Sequence, residues 1–412
     1  MQYQLSFPKT VQATIQLPSS KSISNRALII NALADGKIPP ENLSDCDDTR
    51  VMIKALSKHQ DIVDIMAAGT AMRFLTAYFS VTPGTRIITG TERMKQRPIH
   101  ILVKALRQLG AEIEYTENEG YPPLRITGKE LTGSEISLPG NVSSQYISAL
   151  LMIAPTLKHG LEISLTGEVI SLPYINLTLQ LMKEFGVEAV WKSENNLRIS
   201  PQSYQSISYL VESDWSAASY WYQIAALADE AEITLPGLLC NSFQGDRRGA
   251  DVFEKLGVKT TFTPKGAILT KKEKSIERLE EDFSDIPDLA QTFAVTCALL
   301  NIPFRFTGLQ TLKIKETDRI AALITELAKL GYVLKDENDS VLIWNEERTF
   351  RSETPIIKTY EDHRMAMAFA PASMYYPQII IDEPGVVSKS YPQFWNNLKE
   401  AGIKISLKEP TA

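Results

Sequence analysis

The stretch Leu17-Pro18-Ser19-Ser20-Lys21-Ser22-Ile23-Ser24-Asn25-Arg26, running into Ala27-Leu28-Ile29-Ile30, reads as a loop that turns into a helix. Pro18 disfavours helix before it. Ser19 or Ser20 is placed to cap the first turn, and the Ala/Leu/Ile run then propagates a helix apolar enough to be buried. Free backbone N–H groups and the positive end of the helix dipole suit an anion at such a start. Lys21, Ser22 and Arg26 add two charges and a hydroxyl to the same turn and a half. Taken alone, the stretch is equally well an ordinary capped helix with solvated charges. Its repetition along the chain favours the anion-binding reading.

Six segments share the pattern of a polar turn followed by a small-residue apolar helix: Pro18–Ala34, Met66–Phe79, Leu138–Ala154, Val211–Ala228, Asp282–Leu300 and Thr359–Met374. In five cases a second helix-like segment ends at or close to Gly before a β-like stretch, as in Leu102–Gly110, Leu179–Gly186, Ala250–Gly257, Leu323–Gly331 and Phe394–Gly402. A glycine there is a C-cap signal, and the alternating run after it, such as Ala111–Tyr115 or Val187–Trp191, reads as a strand. Successive polar turns lie about 70 residues apart, except for a first interval of about 50. The fold expected is therefore α/β: six repeats, the first shortened between Ser57 and Ala67, with helices buried and sheets outside. Six repeats divide into two groups of three. The domains expected are 1–18 plus 214–412, closed by one N-terminal strand over Met1–Leu17, and an inserted 19–213.

Bulk composition sets outer limits. Over 412 residues the chain is 44% hydrophobic and 22% charged with a net charge of −6, the profile of a globular protein with a sizeable core. That balance does not indicate a nucleic-acid surface, so any anion site must gather its cations locally. The cysteines, Cys46, Cys240 and Cys297, are widely spaced, and with four histidines there is no CxxC or HExxH signature. No metal or cofactor is expected. The N-terminus lacks a signal-peptide pattern and no run reaches the roughly 18 apolar residues of a membrane span. A cytoplasmic monomer acting on small molecules is expected, with neither nucleic acid nor membrane as partner.

Buried helices side by side would collect their polar turns on one face of each domain, with the two faces meeting across a cleft. The candidates are Lys21, Ser22 and Arg26; Gly69, Thr70 as a cap, and Arg97; Ser143, Ser144 and Gln145; Ser171 and Tyr174; Asp288; Lys315, Glu316 and Arg319; His363 and Arg364; and Lys389. Each has a plain structural account. Ser143 reads as a cap, Asp288 after Pro287 as another, the Lys315–Arg319 run as a solvated face, and His363 as a structural histidine. Together they supply many cations, hydroxyls and two carboxylates, with no thiol nucleophile. Such a set suits substrates with several negative charges, because Arg holds phosphate or carboxylate with a two-pronged fork. Asp288 and Glu316 could move protons if burial and neighbouring cations tune them.

These residues fall in motifs that resemble the 5-enolpyruvylshikimate-3-phosphate (EPSP) synthase family along nearly the whole chain. The motifs are Leu17-Pro18-x-Ser20-Lys21-Ser22-x-Ser24-Asn25-Arg26, Ala68-Gly69-Thr70-Ala71-Met72-Arg73, Arg93-Met94-Lys95-x-Arg97-Pro98, Val142-Ser143-Ser144-Gln145, Gln244-Gly245-Asp246, Lys315-Glu316-Thr317-Asp318-Arg319 and Asp362-His363-Arg364-Met365-Ala366-Met367. The resemblance implies a two-domain inside-out α/β barrel. It implies transfer of the enolpyruvyl group of phosphoenolpyruvate to the 5-hydroxyl of shikimate 3-phosphate, with release of phosphate, in chorismate and aromatic amino-acid synthesis. By position, Lys21, Ser22, Arg26, Ser143, Ser144, Gln145, Ser171, Tyr174, Asp288 and Lys315 would hold shikimate 3-phosphate. Lys21, Gly69, Arg97, Gln145, Arg319, Arg364 and Lys389 would hold phosphoenolpyruvate. Asp288 resembles the base, and Glu316 with Lys21 the proton donor to the methylene carbon.

Three departures from the family pattern stand out. Ala67 takes the place of a common Asn, and Thr311 that of an Asn that contacts shikimate phosphate. Phe74 replaces a Pro near the pocket for the herbicide glyphosate. The short first repeat implies a lost outer hairpin. Two other readings are a UDP-N-acetylglucosamine enolpyruvyl transferase, which would need a cysteine in a glycine-rich loop, and a non-catalytic binder of anionic metabolites, which would not need Asp288 and Glu316.

Overall fold

The computed structural model describes residues 1–57 and 60–408. Two compact units emerge, Met1–Pro18 with Glu212–Ala412, and Ser19–Val211. Glu212 and Ser213 go with the discontinuous unit for a visible reason. The Gln244 side-chain amide donates to Glu212 Oε1 and to the Ser213 carbonyl, both at 2.8 Å, while Asp214 N–H donates to the Pro18 carbonyl at 2.9 Å.

Each unit is built on helices that are largely buried. In Ser19–Val211 these are Lys21–Leu33, Gly69–Val81 and Ser144–Ile153, which pack against one another. In the discontinuous unit they are Trp215–Leu227, Ala290–Leu299 and His363–Phe369, the last continued by a 3₁₀ turn over Ala370–Met374. Every residue of Ala290–Leu299 is buried, as a helix covered on all sides requires. The second helices end as expected, before Gly110, Gly186, Gly257, Gly331 and Gly402, all at positive φ. One of them, Leu172–Glu184, begins seven residues before the expected Leu179. Ser171 turns the chain at φ +57° and Pro173 then fits the first helical turn.

Among the described residues five four-stranded sheets cover the helices, and all five share one plan: a parallel outer pair, then two antiparallel neighbours. In Ile62–Asp64, Gly84–Thr89, Leu124–Gly128 and Glu112–Tyr115 the four strands follow that order across the sheet. The N-terminus corrects the expected single strand. It forms two strands that serve different sheets of the discontinuous unit. Gln2–Ser6 lies between Ile380–Asp382 and Lys404–Lys408, antiparallel to both, and Thr10–Thr14 runs parallel to Glu230–Pro236. The N-terminal segment thus completes the last repeat and begins the fourth.

The first repeat departs further than a lost hairpin. Among the described residues it has two helices, Lys21–Leu33 and Asp47–Ser57, and no sheet of its own, only an isolated bridge from Glu41 to Leu210. Lys58 and His59, inside the interval read as shortened, lie outside the described residues.

Candidate active site

In Ser19–Val211 the predicted residues stand at the starts of the apolar helices. Ser20 caps Lys21–Leu33 by accepting from Ile23 N–H, and Ser143 caps Ser144–Ile153 by accepting from Gln145 N–H. The expected cap at Thr70 is not formed. Ala68 precedes the helix without a side-chain cap, and the Thr70 hydroxyl instead accepts from the Gln145 amide at 3.1 Å. That bond joins two of the polar turns. Lys21 Nζ lies 3.2 Å from Asp48 Oδ2, a buried partner absent from the sequence candidates.

Gly69 serves close approach. A Cβ there would stand 2.6 Å from Arg97 Nη1, so only glycine lets the Arg97 guanidinium lie against this helix start. Arg97 is 9% exposed, and its buried Nε has no hydrogen-bond partner among the described residues. The neighbouring Arg73 belongs to the same motif. Its guanidinium donates to the Gly69 and Pro98 carbonyls, at 3.2 and 3.3 Å, and so ties together the two turns that place Gly69 and Arg97.

Arg26 is 3% exposed, and its partners are all neutral. Nε donates to Thr178 Oγ1 at 2.7 Å, Nη1 to the Ser22 carbonyl at 2.9 Å and Nη2 to Ser148 Oγ at 3.1 Å. The Phe74 ring stacks 5.2 Å from the guanidinium. Burial lowers the Arg26 pKa to about 10, as desolvation does to a cation without a carboxylate to offset it.

In the discontinuous unit the predicted residues are drawn together by ion pairs. Asp288 stands in the 3₁₀ turn Pro287–Leu289 and is not the cap of the following helix. Its Oδ1 receives Arg319 Nη1 at 2.9 Å and Lys315 Nζ at 3.4 Å, and its Oδ2 receives Arg364 Nη2 at 2.9 Å. Glu316 receives Arg319 Nη2 at 3.0 Å and Lys389 Nζ at 3.1 Å. The Lys315–Arg319 run is therefore not a solvated face; Arg319 is 1% exposed. Burial pushes the Asp288 carboxyl up, but Arg364, Lys315 and Arg319 outweigh it and hold the group well below the usual carboxylate range. Burial lowers the Lys315 ammonium. For Arg319, burial works against the charge, and Asp362, Glu316 and Asp288 more than restore it.

Two carboxylates here were missed as site residues. Asp362 is fully buried. It accepts from Arg319 Nε at 2.7 Å and from Arg364 N–H at 2.9 Å, so one side chain caps the His363–Phe369 helix and aims Arg319. Its place beside His363-Arg364 in a quoted motif was the available signal. Asp246, from Gln244-Gly245-Asp246, is buried and accepts from the Ser216 hydroxyl; burial, with Asp288 nearby, pushes it up to about 6. His363 is buried, with Nδ1 3.8 Å from Asp362 Oδ1. Of the departures, Thr311 has a buried hydroxyl without a partner, and Ala67 is exposed before the Gly69 helix.

The family model described as EPSP synthase (3-phosphoshikimate 1-carboxyvinyltransferase) matches residues 5–59 and 55–398. The chain belongs to the EPSP synthase family. A 3-phosphoshikimate 1-carboxyvinyltransferase of Bacteroides fragilis is 67% identical over 409 residues, covering 99% of this chain and all of that protein. One from Haemophilus influenzae is 38% identical, covering 96% and 97%. An EPSP synthase structure from Acinetobacter baumannii superposes with a TM-score of 0.77 at 20% identity, over 98% of this chain and 100% of that one. The enolpyruvyl transferase NikO from Streptomyces tendae follows at 0.71 and 14% identity, over 98% of both chains. These two show the shared inside-out α/β fold. As an EPSP synthase the chain is a 1-carboxyvinyl transferase of the shikimate pathway, which sets aside the non-catalytic reading. Of the three cysteines, Cys46 and Cys297 are buried, which raises their thiols, and Cys240 is exposed. Among the described residues no helix is long and apolar enough to cross a membrane.

Proposed function

We propose that this EPSP synthase divides its substrates among the two sets of side chains as follows. Lys21, Ser22, Arg26, Ser143, Ser144, Gln145, Ser171 and Tyr174, with Asp288 and Lys315, bind shikimate 3-phosphate. Arg97, against Gly69, binds phosphoenolpyruvate together with Lys21, Gln145, Arg319, Arg364 and Lys389. The observation that carries this reading is the state of the buried arginines. Among the described residues Arg26 and Arg97 have no carboxylate partner, and a buried guanidinium is costly until an anion meets it.

Asp288 takes the proton of the acceptor 5-hydroxyl as its oxygen attacks C2 of phosphoenolpyruvate. Glu316, with Lys21, delivers a proton to the methylene carbon. In the elimination a methyl proton returns to the same group, the C–O bond to phosphate breaks, and the cations stabilise the leaving phosphate. At rest Asp288 is held ionised by Arg364, Lys315 and Arg319, and Glu316 is paired with Arg319 and Lys389. Three of those four cations are assigned to phosphoenolpyruvate. Its negative charges compete for them, loosen their hold on Asp288 and Glu316, and raise the proton affinity of both carboxyls when proton transfer is needed. The enzyme acts as a cytoplasmic monomer and is a target of glyphosate in this reading.

The test is phosphate release from phosphoenolpyruvate by purified protein, with shikimate 3-phosphate, with UDP-N-acetylglucosamine, or with neither. Release that depends on shikimate 3-phosphate is expected, with an enolpyruvyl ether as the second product. Release with UDP-N-acetylglucosamine instead overturns the acceptor assignment.

A further inference from the structure

The hydrogen bonds beneath Arg26 have a single consistent proton arrangement. Thr178 Oγ1 touches Arg26 Nε at 2.7 Å, the Tyr174 carbonyl at 2.9 Å and Ser148 Oγ at 2.8 Å. A hydroxyl has one proton to give, and a carbonyl can only accept. The Thr178 proton therefore goes to the Tyr174 carbonyl. Ser148 must then donate to Thr178, and its remaining lone pairs accept from Arg26 Nη2 at 3.1 Å. Ser148 and Thr178 are fully buried, so water does not compete for these bonds. The residues come from three helices, Lys21–Leu33, Ser144–Ile153 and Leu172–Glu184, and the Phe74 ring, also fully buried, closes one face of the guanidinium.

Three of the five N–H groups of Arg26 are spent on Thr178, Ser148 and the Ser22 carbonyl. One N–H remains on each terminal nitrogen, which is the fork that holds a carboxylate or phosphate with two parallel bonds. We propose that the Ser148–Thr178 hydroxyl pair, backed by Phe74, is a positioning device. It aims that fork at an anionic group of the acceptor substrate and, through the Tyr174 carbonyl, sets the turn that presents Tyr174. Neither hydroxyl touches substrate. This rests on the assignment of Arg26 to shikimate 3-phosphate made above.

Steady-state kinetics of Thr178→Val, Thr178→Ser, Ser148→Ala and Arg26→Ala test it, with melting temperatures measured alongside. Valine keeps the shape and removes the hydroxyl. The expected result is a rise in KM for shikimate 3-phosphate of about tenfold in Thr178→Val, the scale of one lost hydrogen bond to a charged group. KM for phosphoenolpyruvate and kcat should stay within about twofold, and Thr178→Ser should restore the wild-type value. Added to Arg26→Ala, Thr178→Val should raise that KM no further, because the group it positions is gone. If Thr178→Val does not fold, Ser148→Ala probes the same pair from its other side. If Arg26→Ala raises KM for shikimate 3-phosphate but neither hydroxyl variant does, the positioning role is overturned and the assignment of Arg26 stands. If Arg26→Ala leaves that KM unchanged, the assignment itself has failed, and the proposal with it. An equal loss in kcat and both KM values in Thr178→Val, tracking a lowered melting temperature, overturns the proposal in favour of a purely structural role.

Discussion

The two units treat buried charge in opposite ways. Around Asp288 each cation is answered by a carboxylate: Lys315, Arg319 and Arg364 by Asp288, Arg319 again by Glu316 and Asp362, and Lys389 by Glu316. In Ser19–Val211, Lys21 has Asp48, but Arg26 meets only hydroxyls and a carbonyl, and the buried Nε of Arg97 meets nothing. In the proposed assignment of substrates, the difference separates two tasks. A neutralised network fixes carboxylates among cations and tunes them for proton transfer. An unneutralised guanidinium is a standing demand for an anion, met when substrate binds.

Removing a buried charge from each side is the sharpest way to break this comparison. Asp362→Asn leaves Arg319 short of its fully buried partner and should cost about 3 kcal/mol of stability, read by urea unfolding. Arg26→Met removes a cation that has no carboxylate partner, and should change stability by no more than about 1 kcal/mol, because the relieved desolvation offsets the lost hydrogen bonds. Comparable losses in both would erase the distinction.

The pH dependence of the paired side gives a second effect, no larger than the first. Asp246 is raised to about 6 by burial, so the folded state holds its proton where the unfolded chain has already released it. Its contribution is full below about pH 4 and fades as pH rises towards 6. Asp246→Asn should therefore gain on wild type over that window, by about 3 kcal/mol at most, and keep that gain above it. A melting-temperature difference that does not vary between pH 4 and 6 would show that Asp246 titrates normally. The smallest effect concerns the unpaired side. Gly69→Ala puts a methyl 2.6 Å from Arg97 Nη1 and must push that guanidinium aside. KM for phosphoenolpyruvate should rise about tenfold with stability little changed, and an unaltered KM would separate Arg97 from that substrate.

Much of this was readable in the chain because the signals were local. Ile147-Ser148-Ala149-Leu150-Leu151-Met152-Ile153-Ala154 has no polar face, so burial follows from sequence alone, and a glycine after five of the second helices marks their ends. What stayed hidden was long-range. Gln2–Ser6 and Thr10–Thr14 separate into different sheets because their partners are Ile380–Asp382, Lys404–Lys408 and Glu230–Pro236, which no local pattern names. Ser148 and Thr178 read as ordinary helix-interior hydroxyls, and only the packing of three helices brings them to Arg26, 122 and 152 residues away. Asp362 looked like part of a motif, but its hold on Arg319 depends on helices from different repeats.

The division between anion-receiving and proton-moving residues is tested most directly with Asp288→Asn. The same preparation would be assayed for shikimate-3-phosphate binding by calorimetry and for shikimate-3-phosphate-dependent phosphate release. The expected result is a dissociation constant within about tenfold of wild type and turnover reduced by about 10² to 10⁴. Turnover equal to wild type, or loss of binding in proportion to loss of turnover, would contradict it.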